Sequence, residues 1–491
     1  MHFLGAVIIL RFEREQMSEN NKNHQSDYYY QALKMKEKLD QVSPSMCLAK
    51  WLQVSMHLTT GMTQSCYHPP THRISLEELE KSPKALHNTV TKFEERKQMR
   101  EGKRPPGCEY CWKVEDTEGD HISDRYYRSG EPWAREFFDE VVNNKYDYDV
   151  NPRYVEVNFN HACNLKCSYC SPHISSKWAE EAKKFGPYPT LNPHNDITYF
   201  QNAGLMPITV KGENPYLKAF WDWWPNLYKD LRVFRMTGGE PLLDTNTFRV
   251  LDWINDNPRP DLELAITSNM CAPPDLMDKF IRNIRPIVQE KKVKRFMLFP
   301  SIDSFGHQAE YIRNGLDFNY FWGNINRYLT DVPDGIVTFI VTMNCLSAPN
   351  LLNLIKAFTE LQNKYNKNYH RIFFDTPFLR YPSWLSLQIL PPEKLSYLDE
   401  IVKFMEDNPE NPDTYRGIRD FQLARMKRVT AWAKQGLSDE ELSRARADHY
   451  LFFNEHDKRR GTDYLKTFPE LADFWKTCES EAKKLKPKAF G

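Results

Sequence analysis

The chain has 491 residues, with 66 lysines and arginines balancing 66 aspartates and glutamates. That length supports two or three domains around a sizeable core, and the zero net charge excludes the broad basic footprint of a general nucleic-acid binder. Ten cysteines are too few for a disulfide scaffold in so long a chain. Seven of them fall into two ordered groups, which points to metal in a reducing, cytoplasmic setting.

The apolar run at 3–10 is too short to span a bilayer, and it lacks the basic flank and small-residue cleavage site of a secretory signal. Residues 1–26 read as a disordered leader, with Met17 a candidate true start, and no membrane association is expected. A cysteine-rich unit follows at 27–149, carrying Cys47, Cys66, Cys108 and Cys111. Ser75-Leu-Glu-Glu78 has the form of a capping box opening a short helix, and a second helix is expected at 90–100. The Gly102-Lys-Arg-Pro-Pro-Gly107 turn then projects the Cys108/Cys111 pair. Four thiolates suit a [4Fe–4S] cluster or a four-cysteine zinc site, and ligand softness alone does not separate them. His68, two residues after Cys66, is either a substitute ligand or a plain loop residue.

From about residue 150 to 385, β-branched and aromatic runs alternate with amphipathic helical stretches. Strands are expected at 154–159, 232–237, 263–267, 295–302, 336–343 and 371–374, with helices at 217–231, 275–291, 318–329 and 350–365. Such alternation predicts an α/β fold with a parallel sheet. After the first strand comes His161-Ala-Cys-Asn-Leu-Lys-Cys-Ser-Tyr-Cys170. Cys163, Cys167 and Cys170 on one loop can hold a four-iron cluster by three corners, leaving one iron open. Thr237-Gly-Gly-Glu-Pro241 follows the second strand, where paired glycines permit close backbone approach. The fourth strand ends in Ser301-Ile-Asp-Ser304, and Arg313 lies twelve residues beyond Ser301. The strand ends Ile266-Thr-Ser-Asn269 and Val341-Thr-Met-Asn344 are further pocket candidates, though polar residues also cap strands ordinarily. The long connection 171–216 reads as a closing loop on the substrate side; its His173 and Lys177 are more in keeping with solvated loop charges than with catalysis. A helical extension occupies 386–491, with helices near 393–405, 414–433 and 439–450 and a charged run, Asn454 to Gly461, read as solvated surface. Cys271, Cys345 and Cys478 stand alone and read as core residues.

The triplet and its followers resemble the radical S-adenosylmethionine enzymes, over the cluster loop and roughly the next 220 residues. The resemblance implies a partial (β/α)6 TIM-like barrel. It also implies a [4Fe–4S] cluster with three cysteine ligands, whose open iron is chelated by S-adenosylmethionine. Reductive cleavage of that cofactor gives a 5′-deoxyadenosyl radical, which abstracts hydrogen from substrate. By the same resemblance Gly238, Gly239 and Glu240 meet the cofactor's amine, Ser301 and Arg313 its polar groups and carboxylate, and the backbone of Tyr169 its adenine. Residues 27–149 resemble the twitch (shortened SPASM) module, placed before the barrel, which implies an auxiliary iron–sulfur cluster on Cys47, Cys66, Cys108 and Cys111. The implied partners are a flavodoxin- or ferredoxin-like electron donor and a peptide or protein substrate. A nucleoside, RNA or small-molecule modifier and a non-catalytic metal-binding scaffold are the alternatives.

Overall fold

The computed structural model describes residues 24–119, 121–208 and 212–485; the apolar run at 3–10 and Met17 lie outside the described residues. Its strands are β1 (Gln53–His57), β2 (Met62–Gln64), β3 (His72–Arg73), β4 (Tyr154–Asn158), β5 (Lys166–Cys167), β6 (Val233–Thr237), β7 (Arg259–Ser268), β8 (Val293–Pro300), β9 (Arg313–Asn314), β10 (Ile336–Ile340) and β11 (Ile372–Asp375). Nine of them form one open sheet in the order β11-β10-β8-β7-β6-β4-β1-β2-β3. All six strands expected from the sequence are present and run parallel.

Hydrophobic alternation decides which face of each strand meets the helices. Val155 and Val157, Phe234 and Met236, Leu264 and Ile266, Val337 and Phe339 all enter the large core on one side. Helices Pro215–Asp230, Pro274–Gln289, Phe318–Asp331 and Leu351–Tyr365 match the expected segments within a few residues. Each begins where its sequence permits: the Asn214 side chain accepts from the Tyr216 and Leu217 amides at 2.9 and 3.3 Å, with Pro215 as the first helical residue. Several helices were not anticipated, among them His24–Val42, which begins inside the expected leader, Ser176–Phe185, Ala472–Leu485 and, between β6 and β7, Thr245–Asp256. The last of these opens on Thr-Asn-Thr, a poor helix former, and the Asp244 cap supplies what propensity does not.

Two features were not legible beforehand. First, β1 pairs in parallel with β4 over five residues, so the cysteine-rich unit extends the central sheet instead of standing apart from it. The core of that unit, built on Trp51, Trp112 and Trp133, also takes in Tyr154 of β4 and Val233 of β6. Second, the helix expected at 439–450 continues to Arg460, ending on Gly461 in the left-handed conformation. The charged run read as solvated is therefore its last turns, and the side chains of Arg459 and Arg460 are 4% and 1% exposed. The Ser75 hydroxyl caps its helix as expected, but Glu78 reaches forward to the Val90 amide at 2.8 Å and caps the next one. Among the described residues, no helix is long and apolar enough to cross a membrane.

Phe358 stacks on Phe339 at 4.2 Å and is fully buried where its helix meets β10. Phe358→Ala is expected to cost about 3–5 kcal/mol of stability through lost contacts and the cavity left behind, measured by chemical denaturation; a loss below about 1 kcal/mol would show that this helix does not rely on the sheet.

Candidate functional site at the sheet rim

The three-cysteine loop leaves the C-terminal end of β4 and is held from several sides. Within it, β5 pairs with β9 in antiparallel register, Cys167 opposite Arg313 and Lys166 opposite Asn314. The Cys167 carbonyl accepts from Trp178 Nε1 at 2.9 Å, and Ser168 N donates to the Ile312 carbonyl at 2.8 Å. Burial pushes the Cys163 thiol up to about 12, with the nearby Cys167 adding to it, and holds Cys170 well above its ordinary value. Cys167 is also raised by burial, but the Arg313 guanidinium opposes the rise. A metal bound here would therefore displace protons from these thiols.

Asp303 organises the rim, and sequence reasoning gave it no role. It is fully buried and takes Arg313 on both oxygens, Nε at 2.8 Å and Nη2 at 3.1 Å. It also accepts from the Tyr169 hydroxyl at 2.8 Å and the Thr342 amide at 2.9 Å. The remaining arm of Arg313, Nη1, lies 3.6 Å from the Cys167 sulfur. The arginine expected to meet a ligand carboxylate thus has two of its nitrogens on a protein carboxylate. The legible signal was an acidic residue in the strand-end run Ser301–Ser304 with an arginine ten positions later. Ser301 itself bridges to Ile340 at the same strand ends.

Glu240 sits beneath the loop, 1% exposed, and accepts from the Asn269 amide at 2.6 Å, Ser268 Oγ at 2.8 Å and Leu242 N at 3.0 Å. Burial outweighs these bonds and pushes its carboxyl up to about 7. The glycines beside it are required by packing: Gly238 has φ +124°, and a Cβ on Gly239 would lie 2.2 Å from the Ala162 carbonyl oxygen. The close approach they permit is that of the loop segment 160–162 itself, since Glu240 N donates to the Ala162 carbonyl at 2.7 Å. Asn344 caps the turn after β10, accepting from the Leu346 amide at 3.0 Å.

The described residues of the segment 171–216 lie against the cluster loop and the helix Asp439–Arg460. His194 Nε2 donates to the Tyr169 carbonyl at 3.2 Å, and the Leu191 and Asn192 amides bond to the Asp448 carboxylate. His173 is stacked on Phe200 at 4.2 Å, and burial keeps its imidazole neutral, with its pKa near about 3. Lys177 pairs on the surface with Glu180 at 2.8 Å. The helix Asp439–Arg460 clamps the loop from outside: Arg460 Nη1 donates to the Lys166 carbonyl at 2.8 Å, and its Nε and Nη2 meet Glu181 at 3.1 and 3.2 Å.

The second group also converges. Cys47, Cys66, Cys108 and Cys111 line one cavity, together with Lys50, His68, Arg125 and Arg128. Burial, then Cys108 and Cys47, push the Cys66 thiol up to about 12. His68 Nε2 faces Asp124 at 2.8 Å and its ring stacks on Tyr110 at 3.8 Å, so that nitrogen is turned to a carboxylate and not to the thiols. Among the described residues, no three His, Cys, Asp or Glu side chains are drawn close enough to grip a single ion. The four thiols share the cavity with Lys50, His68 and Asp124, and thiolate ligands suit zinc and iron–sulfur centres alike. The lone Cys345 and Cys478 are fully buried core residues, as expected, while Cys271 is half-buried.

No protein-family model and no curated protein matches the chain. Among solved structures it is similar to native anSMEcpe with bound AdoMet, at 14% identity and a TM-score of 0.33, over 54% of this chain and 64% of that one. It is similar also to native anSMEcpe with bound AdoMet and Cp18Cys peptide, at 15% identity and a TM-score of 0.30, over 54% and 63%. The chain thus spans just under two thirds of the length of these structures. Likenesses so distant carry no chemistry from those proteins to this one.

Glu181 keeps Lys166 at 2.6 Å when Arg460 is removed, so breaking the buried Arg460–Glu181 pair is expected to cost about 1.5–3 kcal/mol, the loss of a charged hydrogen bond and not of a stranded charge. Arg460→Met is expected to lose that much stability and to raise amide exchange across 161–170, with Glu181→Gln adding little in the double variant. Additive losses would show that the two side chains act apart.

Proposed function

We propose that the chain is a radical S-adenosylmethionine enzyme in which Cys163, Cys167 and Cys170 hold three corners of a [4Fe–4S] cluster and the parallel strands form a partial (β/α)6 barrel. One observation carries this reading. The antiparallel pairing of Cys167 with Arg313 brings the cysteine loop and the Ser301 strand end to one rim, beside Gly238, Gly239 and Glu240. Motifs far apart in sequence meet where a sulfonium cofactor needs a metal corner, a cation and close backbone. A cluster bound there supplies the single electron that splits the cofactor's carbon–sulfur bond.

The chain's own residues bind, orient and shield. Arg313 keeps a positive charge at the Cys167 sulfur and so eases its deprotonation. Asp303 fixes that guanidinium and, through the Tyr169 hydroxyl, the position of the backbone expected to face adenine. Glu240 ties the ends of β6 and β7 under the loop. The 171–216 segment closes the substrate side. In this reading Cys47, Cys66, Cys108 and Cys111 hold an auxiliary iron–sulfur cluster, the electron comes from a flavodoxin- or ferredoxin-like donor, and the substrate is a peptide or protein.

Anaerobically reconstituted and reduced protein is expected to convert S-adenosylmethionine to 5′-deoxyadenosine and methionine, and Cys170→Ala to fall to background. Arg313→Lys keeps the charge but loses the two-point hold on Asp303; it is expected to raise the KM for S-adenosylmethionine roughly tenfold, about 1.4 kcal/mol. An intact cluster that yields no 5′-deoxyadenosine would contradict the proposal.

A further inference from the structure

We infer that Asp448 is a positioning residue for the cysteine loop: its carboxylate ties residues 191–195 to the helix Asp439–Arg460, and His194 and Asn195 carry that tether to the backbone of Tyr169 and Cys170. The inference rests on the reading of Cys163, Cys167 and Cys170 as the loop that meets the cofactor.

Asp448 lies on the helix Asp439–Arg460 and is 3% exposed. Its two oxygens accept from two successive backbone amides, Leu191 and Asn192, the latter at 3.2 Å. Neighbouring amides turned to one carboxylate make an anion-accepting corner, and charge-assisted bonds of this kind are the strong ones. The corner is held again by Tyr381, whose hydroxyl donates to Asn192 Oδ1 at 2.7 Å. Two residues on, the chain reaches the cysteine loop. His194 Nε2 donates to the Tyr169 carbonyl at 3.2 Å, and Asn195 Nδ2 to the Cys170 carbonyl at 3.4 Å. Both side chains are buried. The His194 ring meets Tyr381 and Trp384 edge to face, at 5.0 and 5.6 Å between centroids. The Trp384 carbonyl in turn accepts from Nδ1 of His449, the neighbour of Asp448, at 2.8 Å.

The same helix holds the earlier part of the segment by other means: Arg459 donates to the Gly186 and Pro187 carbonyls, each at 3.0 Å, and Arg460 meets Glu181. Asp448 reaches the later stretch, the one that touches Tyr169 and Cys170. A carboxylate out of water is a costly way to pack a helix, and an apolar side chain would fill the place at lower cost. What the carboxylate adds is direction, because two donors on two oxygens fix how the peptide between Leu191 and Asn192 is turned. That turn sets where His194 and Asn195 emerge, and so whether two successive carbonyls of the cysteine loop are held. In the enzyme proposed above the Tyr169 backbone faces the cofactor's adenine. The tether therefore acts on cofactor binding and not on the bond-breaking step.

Hydrogen exchange and S-adenosylmethionine cleavage kinetics, both on the reconstituted full-length protein, test this. Asp448→Asn sets an amide N–H2 where an oxygen accepted. It is expected to speed exchange about tenfold in 190–195 and in 168–171, with the rest of the chain and the iron content as in wild type. The KM for S-adenosylmethionine is expected to rise about fivefold, with kcat within about twofold of wild type. His194→Phe keeps the ring and removes the donor; it is expected to raise KM alike, and the double variant to match the single ones, because both break one chain of contacts. Asp399→Asn, which removes an equal charge from the exposed pair with Lys434 at 2.6 Å, is expected to change neither measurement. Wild-type exchange in 168–171, or a wild-type KM in both Asp448→Asn and His194→Phe, overturns the inference and leaves the radical reading standing. A lowered melting temperature with faster exchange throughout Asp448→Asn assigns the residue to general packing and overturns it equally. A parent protein that holds its iron yet neither binds nor cleaves S-adenosylmethionine overturns the reading of the loop itself, before any substitution is made.

Discussion

The buried pair of Asp303 and Arg313 is the joint on which the rim depends. Its carboxylate sits at the end of β8, its guanidinium on the short strand that pairs with the cysteine loop, and its spare contacts reach β10 and Tyr169. An ion pair out of water repays its desolvation only when every remaining polar atom finds a partner. Asp303 accepts three hydrogen bonds and lies in charge contact with Arg313 Nε, and Arg313 turns its Nη1 to a sulfur. The loop that carries the cysteines is thereby held by the protein's own framework.

Sequence patterns disclosed the parallel sheet because buried β-branched strands separated by amphipathic helices admit few other arrangements. They disclosed the cysteine loop because its spacing is chemically specific. Asp303 carries no such signal, since an acidic residue in a strand-end loop is ordinarily a cap. Arg460 was misjudged for the opposite reason: a run of charges usually marks a solvated face, and only its tertiary partner Glu181 reveals that this one turns inward. The pairing of β1 with β4 was invisible because almost a hundred residues separate them and β1 is only five residues long.

That pairing changes how the two cysteine groups relate. The cavity of the N-terminal group lies in a core that shares Tyr154 with β4, and Tyr67, next to Cys66, bonds directly to that residue. Polar contacts therefore run from Tyr67, the neighbour of Cys66, into the central sheet, through Glu156 to Arg235 on β6. The two cysteine groups belong to one framework.

The central claim is that three thiols leave one iron corner open to a sulfonium cofactor. EPR spectroscopy of the reduced, anaerobic protein tests it most directly. The account predicts a [4Fe–4S] signal that changes on addition of S-adenosylmethionine and vanishes in the Cys163→Ala/Cys167→Ala/Cys170→Ala protein. A signal from those cysteines that is indifferent to the cofactor would contradict it.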